Sequence, residues 1–233
     1  MRTATGRGTL GPVSDAAPYF VNHHRRSRFP WSLYHRELET RLARALGDVK
    51  ARALGRSPRV LVVGCGLEPF VPGVDGVQWH GVDLDVASIE VCRRRHPEME
   101  QRLSVCSDAY ALPSGGSFDL PFDAIVAKEV IEHLEDPRRW ARVLAERLAP
   151  GGDLLLTTPN YGRFSTLPLL EASVLELLAR LDGYSRKHIH PSRFDLKRFS
   201  ELDIGPDVQA IEVRTTRTGW ALFGRWQKAP GVS

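Results

Sequence analysis

One short stretch limits the folds open to this chain more than any other. It is Arg-Val-Leu-Val-Val-Gly-Cys-Gly at Arg59 to Gly66, followed by an acid, Asp83, that closes Val-Gln-Trp-His-Gly-Val-Asp. Val60 to Val63 is an unbroken β-branched and aliphatic run, the pattern of a parallel strand buried on both faces. Gly64 and Gly66 follow at once, where the chain must turn sharply and bring bare backbone close to a ligand. Asp83 lies nineteen positions beyond Gly64, close to the spacing of about 20 residues that sets a carboxylate beneath a ribose. A strand, a glycine turn and a carboxylate ending the next strand make a nucleoside-binding crevice in an α/β sheet.

The residues around this crevice narrow the nucleoside. A dinucleotide pattern wants a third glycine at position 69, where this chain has Pro69, and no Gly-Lys-Ser/Thr phosphate cradle follows. With neither pyrophosphate signature present, the expected ligand has ribose hydroxyls and no phosphates. Here the sequence resembles the class I S-adenosylmethionine-dependent methyltransferases. Val-Leu-Val-Val-Gly-Cys-Gly looks like their first motif and Gly81 to Asp85, Gly-Val-Asp-Leu-Asp, like their acidic loop. The resemblance continues through Ser107-Asp108-Ala109, Phe122 to Val126, Glu129 to Leu134 and Leu148-Ala149-Pro150-Gly151-Gly152, in the family's order, from about Arg59 to Asn160. Glu-Val-Ile-Glu-His is also common in small-molecule members of the ubiquinone-biosynthesis type.

The resemblance implies a Rossmann-like fold: α/β, doubly wound, a mostly parallel seven-stranded sheet with an antiparallel C-terminal strand pair. It implies S-adenosyl-L-methionine as cofactor and S-adenosyl-L-homocysteine as product, held by Gly64, Cys65, Gly66, Asp83, Leu84, Asp108, Ala109, Lys128 and Glu129. One departure stands out. Leu67 to Gly73 holds two prolines and is too short for the family's usual first helix, and Glu68 stands where most members have a glycine. A turn or a single 3₁₀ turn must present the backbone N–H groups there.

Other elements follow from local signals. Trp31 onward reads as a helix, with Tyr34, Leu38, Leu42, Ala45, Val49 and Ala53 at helical spacing. Asp85 caps a helix anchored by Val86, Ile89 and Val91. Arg102 to Cys106 and Phe122 to Lys128 read as strands three and four. Glu129 to Leu134 reads as the start of a helix with Glu129, Glu132 and His133 on one face. Asp136-Pro137 opens another helix, with Trp140, Val143, Leu144 and Leu148 inward, which Pro150-Gly151-Gly152 stops. Leu154 to Thr158 is the fifth strand, Ser165 to Leu181 a helical insertion, and Val208 to Thr215 and Thr218 to Trp226 the closing pair.

A chain of 233 residues suits one large domain. The division expected is a tail over 1–17, an N-terminal helical lid over 18–57, and the main domain over 58–233 with an insertion near 163–190. No apolar run approaches the ~18 residues that cross a bilayer, so no membrane partner is expected. Three cysteines without metal or redox spacing fit a reduced cytoplasm. Of the +4 net charge, residues 1–50 hold nine Lys/Arg against four Asp/Glu. That excess draws an anionic substrate to the N-terminal segment, or is a solvated helix face.

Three roles stay open for the Glu129–His133 string: His133 as general base or orienter, a purely structural set of bonds, or a divalent-metal site completed by His188 or His190 as in small-RNA 2′-O-methyltransferases. No metal is expected. His133 and His190 are the catalytic candidates; Tyr19, Arg28, Trp31, Tyr184 and His188 are the substrate-binding ones. The function expected is methyl transfer to a small molecule, a hydroxyl of a secondary metabolite, by a monomer or homodimer with no nucleic-acid partner. The alternatives are a metal-dependent RNA 2′-O-methyltransferase and a non-catalytic module that binds the nucleoside or a partner chain.

Overall fold

The computed structural model describes residues 31–163, 165–167 and 191–231. The expectations placed on Tyr19, Arg28, Tyr184, His188 and His190, on the tail and on nearly all of the insertion fall outside those residues, as does the side chain of Trp31.

Seven strands among the described residues form one sheet: β1 (Arg59–Val63), β2 (Gln78–Asp83), β3 (Leu103–Val105), β4 (Phe122–Lys128), β5 (Leu148–Pro159), β6 (Val208–Thr215) and β7 (Ala221–Lys228). Their order is β3-β2-β1-β4-β5-β7-β6. The first five run parallel, and β7 pairs antiparallel with both β5 and β6. The strand order reverses beside β1 and β4, so the crevice beyond their C-termini is the place where such a sheet receives a ligand.

Alternation along the strands sorts the core into two layers. Val60, Ala124, Val126, Leu155 and Phe223 face α1 (Trp31–Arg52), which presents Leu38, Leu42, Ala45, Leu46 and Val49. Leu61, Val63, Ile125, Ala127, Leu154 and Leu156 face the other way, onto Trp140, Ala141 and Leu144 of α3 (Pro137–Glu146) and Phe199 of α4 (Leu196–Ser200). Helix α1 is also pinned by charge. Arg225 bonds Asp48 at 2.6 Å and the fully buried Asp153 at 2.8 Å, and Asp153 also takes Arg52 at 2.9 Å.

Aspartates start the later helices. Asp85 accepts from the N–H groups of Ala87 and Ser88 ahead of α2 (Val86–Arg95), Asp136 from that of Arg139, and Asp195 from that of Arg198.

Three local expectations need correction. Helix α2 buries Ser88, Ile89 and Cys92, while Val86 is exposed; the Asp85 cap takes the Ser88 hydroxyl at 2.6 Å and turns that side inward. Strand β5 begins at Leu148, because Pro150-Gly151-Gly152 is an irregularity inside the strand. Gly151 takes φ +74°, and a Cβ at Gly152 would meet the Ala149 carbonyl at 2.8 Å. The third correction, at Glu129 to Leu134, lies in the crevice itself.

Candidate active site

The chain leaves β1 through Gly64 and Gly66, with φ of +65° and +53°, a region that side chains disfavour. Gly64 is also needed for space: a Cβ there would sit 2.5 Å from Val130 Cγ2. The turn is stitched to β2 twice. Cys65 N–H donates to the Val82 carbonyl at 3.1 Å, and Gly66 N–H donates to Asp83 Oδ2 at 2.7 Å. After it, Leu67 to Gly73 contains no helix; one turn, closed by Glu68 N–H on the Cys65 carbonyl at 3.0 Å, stands in its place.

Asp83 therefore does two things. It braces the glycine turn through Oδ2 and receives Asp85 N–H on Oδ1 at 2.9 Å. Leu84 beside it is 56% exposed, an apolar face open above the carboxylate. On the neighbouring strand end, Asp108 is exposed and accepts from Tyr110 N–H at 2.9 Å, with Ala109 half-buried next to it. Cys106, between the two acids, is pushed up to about 11 by burial and by the charges of Asp83 and Asp108. Both carboxylates thus act on one small region, and the thiol there stays protonated at neutral pH.

The segment after β4 departs from the expected helix. Glu129 takes φ +57°, followed by a single 3₁₀ turn over Ile131–His133. The kink lets Val130 pack over Gly64, and Pro137 leaves too few residues for a full helix before α3. Glu129, Glu132 and His133 consequently do not share a helix face. Glu129 accepts from Thr157 Oγ1 at 3.1 Å. Glu132 is buried, accepts from Thr158 Oγ1 at 3.1 Å, and has Oε1 at 4.0 Å from Nε2 of His133. His133 itself is 48% exposed. A left-handed non-glycine residue costs of order 1–3 kcal/mol and tends to sit where function requires it. Lys128 ends β4 opposite Thr157. Among the described residues no group of three His, Cys, Asp or Glu could hold a metal ion.

A methyltransferase-domain family model matches residues 31–202. The chain belongs to the class I S-adenosylmethionine-dependent methyltransferases. Curated relatives include ubiquinone biosynthesis O-methyltransferases from Alkalilimnicola ehrlichii, 30% identical over 159 residues (66% of this chain, 61% of the relative), and from Xanthomonas axonopodis pv. citri, 34% identical over 119 residues (48% and 47%). The chain thus spans about half to three-fifths of these relatives. Among solved structures, magnesium protoporphyrin IX methyltransferase from Synechocystis PCC 6803, with bound S-adenosylhomocysteine, superposes with a TM-score of 0.61 at 13% identity, over 91% of this chain and 95% of that one. The cyclase SpnF gives 0.57 at 17% identity, over 81% of both chains. These likenesses establish the shared fold.

The cofactor of this methyltransferase family is S-adenosyl-L-methionine, and the crevice fits it. The turn at Gly64 and Gly66 brings backbone to the crevice at positive φ, Asp83 and its aligned N–H groups offer a polar edge, and Leu84, Asp108 and Ala109 border the other end. The structure brings Gly64, Gly66 and Asp83 together directly, as sequence spacing suggests, with Cys65 and Leu84, which the resemblance implied, beside them. Two contributors lie outside that spacing. Tyr110 receives Asp136 N–H on its hydroxyl at 3.0 Å, with the Arg139 guanidinium 5.0 Å from its ring centre, and so ties the turn after β3 to the start of α3. Cys92 reaches the glycine turn from α2; only the buried stripe of that helix, counted with cysteine as an apolar residue, signals it.

No described helix is long and apolar enough to cross a membrane.

Proposed function

We propose that this chain methylates a hydroxyl oxygen of a small molecule. The similarity to ubiquinone biosynthesis O-methyltransferases carries the reading; the half-exposed His133, seated on a buried carboxylate at the strand ends, supports it. When bound, the cofactor supplies a methyl on a cationic sulfur whose departure leaves a neutral thioether. Asp83 and the glycine turn hold the nucleoside end. The imidazole of His133 accepts the proton that the hydroxyl loses as its oxygen bonds to the methyl, and Glu132 steadies the imidazolium. Alignment and exclusion of water supply most of the acceleration, and a base adds about 10²–10⁴-fold for a hydroxyl acceptor.

The test is to incubate the chain with S-adenosyl-L-methionine and a panel of phenols, catechols, amines and amino acids, and to follow S-adenosylhomocysteine release. Turnover with hydroxyl acceptors is expected, the product carrying an O-methyl group. His133→Ala should lower kcat by about 10²–10⁴-fold while affinity for S-adenosylhomocysteine stays within twofold. Turnover confined to amine acceptors sinks the hydroxyl assignment, and an undiminished His133→Ala enzyme removes the base.

A further inference from the structure

No helix follows the glycine turn over Leu67 to Gly73, so its peptide groups are held by contacts from other elements. The residues that fix them come from α2. Gly66 is held at both ends: its N–H by Asp83 Oδ2 at 2.7 Å, and its carbonyl by the Cys92 thiol at 3.1 Å. Cys92 is fully buried on α2, one turn beyond Ser88, whose hydroxyl is locked to the Asp85 cap at 2.6 Å. The donor therefore sits on a rigid base. Behind it the Cys65 thiol is held far above its ordinary range by its contact with Cys92 and by burial, and stays protonated. The same contact lowers the Cys92 thiol, which its burial opposes, and the 3.1 Å approach of Cys92 Sγ to a carbonyl oxygen requires that it carry its proton. A Cβ at Gly81 would lie 2.9 Å from Pro69 Cβ and 3.0 Å from Cys65 Sγ, so the loop packs flat on β2.

We propose that Cys92 is a positioning residue for the cofactor: its thiol holds the Gly66–Leu67 peptide plane through the Gly66 carbonyl, while Asp83 holds the Cys65–Gly66 plane through the Gly66 N–H, so that the turn is fixed on both sides of the Gly66 Cα. The inference rests on the cofactor crevice described above. It acts through Gly66 and involves no contact between Cys92 and the cofactor.

The experiment compares the full chain with Cys92→Val, which keeps the volume and loses the donor, and Cys92→Ser, which keeps a donor. S-adenosylhomocysteine is titrated by calorimetry, and exchange of the Gly66 amide proton is followed by ¹⁵N NMR without ligand. A neutral hydrogen bond is worth about 0.5–1.5 kcal/mol net, so Cys92→Val should weaken binding by roughly 2–12-fold and speed Gly66 exchange. Cys92→Ser should return both to within twofold. If Cys92→Val does not fold, Cys92→Ala takes its place under the same criteria. Unchanged affinity and exchange in the donor-less variant overturn the inference. So does a serine variant as weak as the valine one, since packing would then be the cause. A parent chain that binds no S-adenosylhomocysteine overturns the crevice reading and this one with it, whereas a binding chain indifferent to Cys92 overturns this one alone.

Discussion

Replacing Gly64 by alanine tests the geometry of the crevice most directly, because it carries two separable costs. The backbone stays at φ +65°, where an L-residue loses about 1–2 kcal/mol. The new Cβ would meet Val130 Cγ2 at 2.5 Å, well inside contact, and shifting a packed side chain costs about 1–3 kcal/mol. The sum is roughly 2–5 kcal/mol, which at this chain length lowers Tm by roughly 5–15 °C. The second cost should vanish when Val130 is also cut to alanine. Alone, Val130→Ala removes two half-buried methyl groups, about 1 kcal/mol. The double variant should then be more stable than the sum of the single changes by about 1–3 kcal/mol, read as the coupling term of a double-mutant cycle in urea. A Gly64→Ala chain within about 0.5 kcal/mol of the parent, or a cycle with no coupling, would refute the claim that Gly64 is required by Val130 and by its own dihedral.

Asp83→Asn keeps the shape and removes the charge that receives Gly66 and Asp85 N–H. Hydrogen bonds to a charged group are worth about 1.5–3 kcal/mol each, so affinity for S-adenosylhomocysteine should fall by roughly tenfold or more by calorimetry, and a loss under twofold would contradict the assigned role. His80, buried in β2 and near Arg59, is pushed down to about 4, first by burial and then by that positive charge. The unfolded chain takes up this proton near 6.5 and the folded chain only near 4, so stability is full above pH 6.5 and falls between 6.5 and 4, by about 3 kcal/mol in all. Urea midpoints against pH should lose that slope in His80→Leu, and a slope that survives places the titration elsewhere. Asp153→Ala removes one of the two acid partners of the buried Arg225 and leaves Asp48 at 2.6 Å as the other; about 1–3 kcal/mol of stability should go, with S-adenosylhomocysteine affinity of the folded fraction unchanged. A stable Asp153→Ala chain would mean that the network around α1 contributes little.

How much of this was legible in the sequence depends on whether a residue's role is set by its neighbours along the chain or across the fold. Phe122 to Lys128 reads as a strand and is one, because an apolar run buried on both faces needs no information beyond itself. Asp85 and Asp136 cap helices for the same reason: the partner N–H is two or three residues away. Gly64, Gly66 and Asp83 are legible because one turn and one strand fix their separation. The Glu129 kink is not. Nothing local favours φ +57° at a glutamate, and it arises because Val130 must reach Gly64, 66 residues earlier. Pro150-Gly151-Gly152 misleads in the same way, since helix stop and strand irregularity use the same residues, and only the carbonyls of Ala149 and Phe122 pressed on Gly152 decide between them.

The inward face of α2 shows why the more consequential errors gather near the site. Ranking by hydrophobicity puts Val86 and Val91 in the core. In the fold Val86 is exposed, and Ser88 and Cys92 are buried with Ile89. Those two polar-capable side chains are inward because each has a partner there: Ser88 finds the Asp85 carboxylate, and Cys92 finds the Gly66 carbonyl. A valine at either position would pack as well but bond nothing. Most buried polar atoms have a hydrogen-bond partner, so the places where this helix breaks the apolar pattern are the places where it is engaged in holding the cofactor turn and its own cap. The departure from pattern is therefore itself a signal: in this chain, the helix residues that a hydrophobic count gets wrong mark where the crevice is braced.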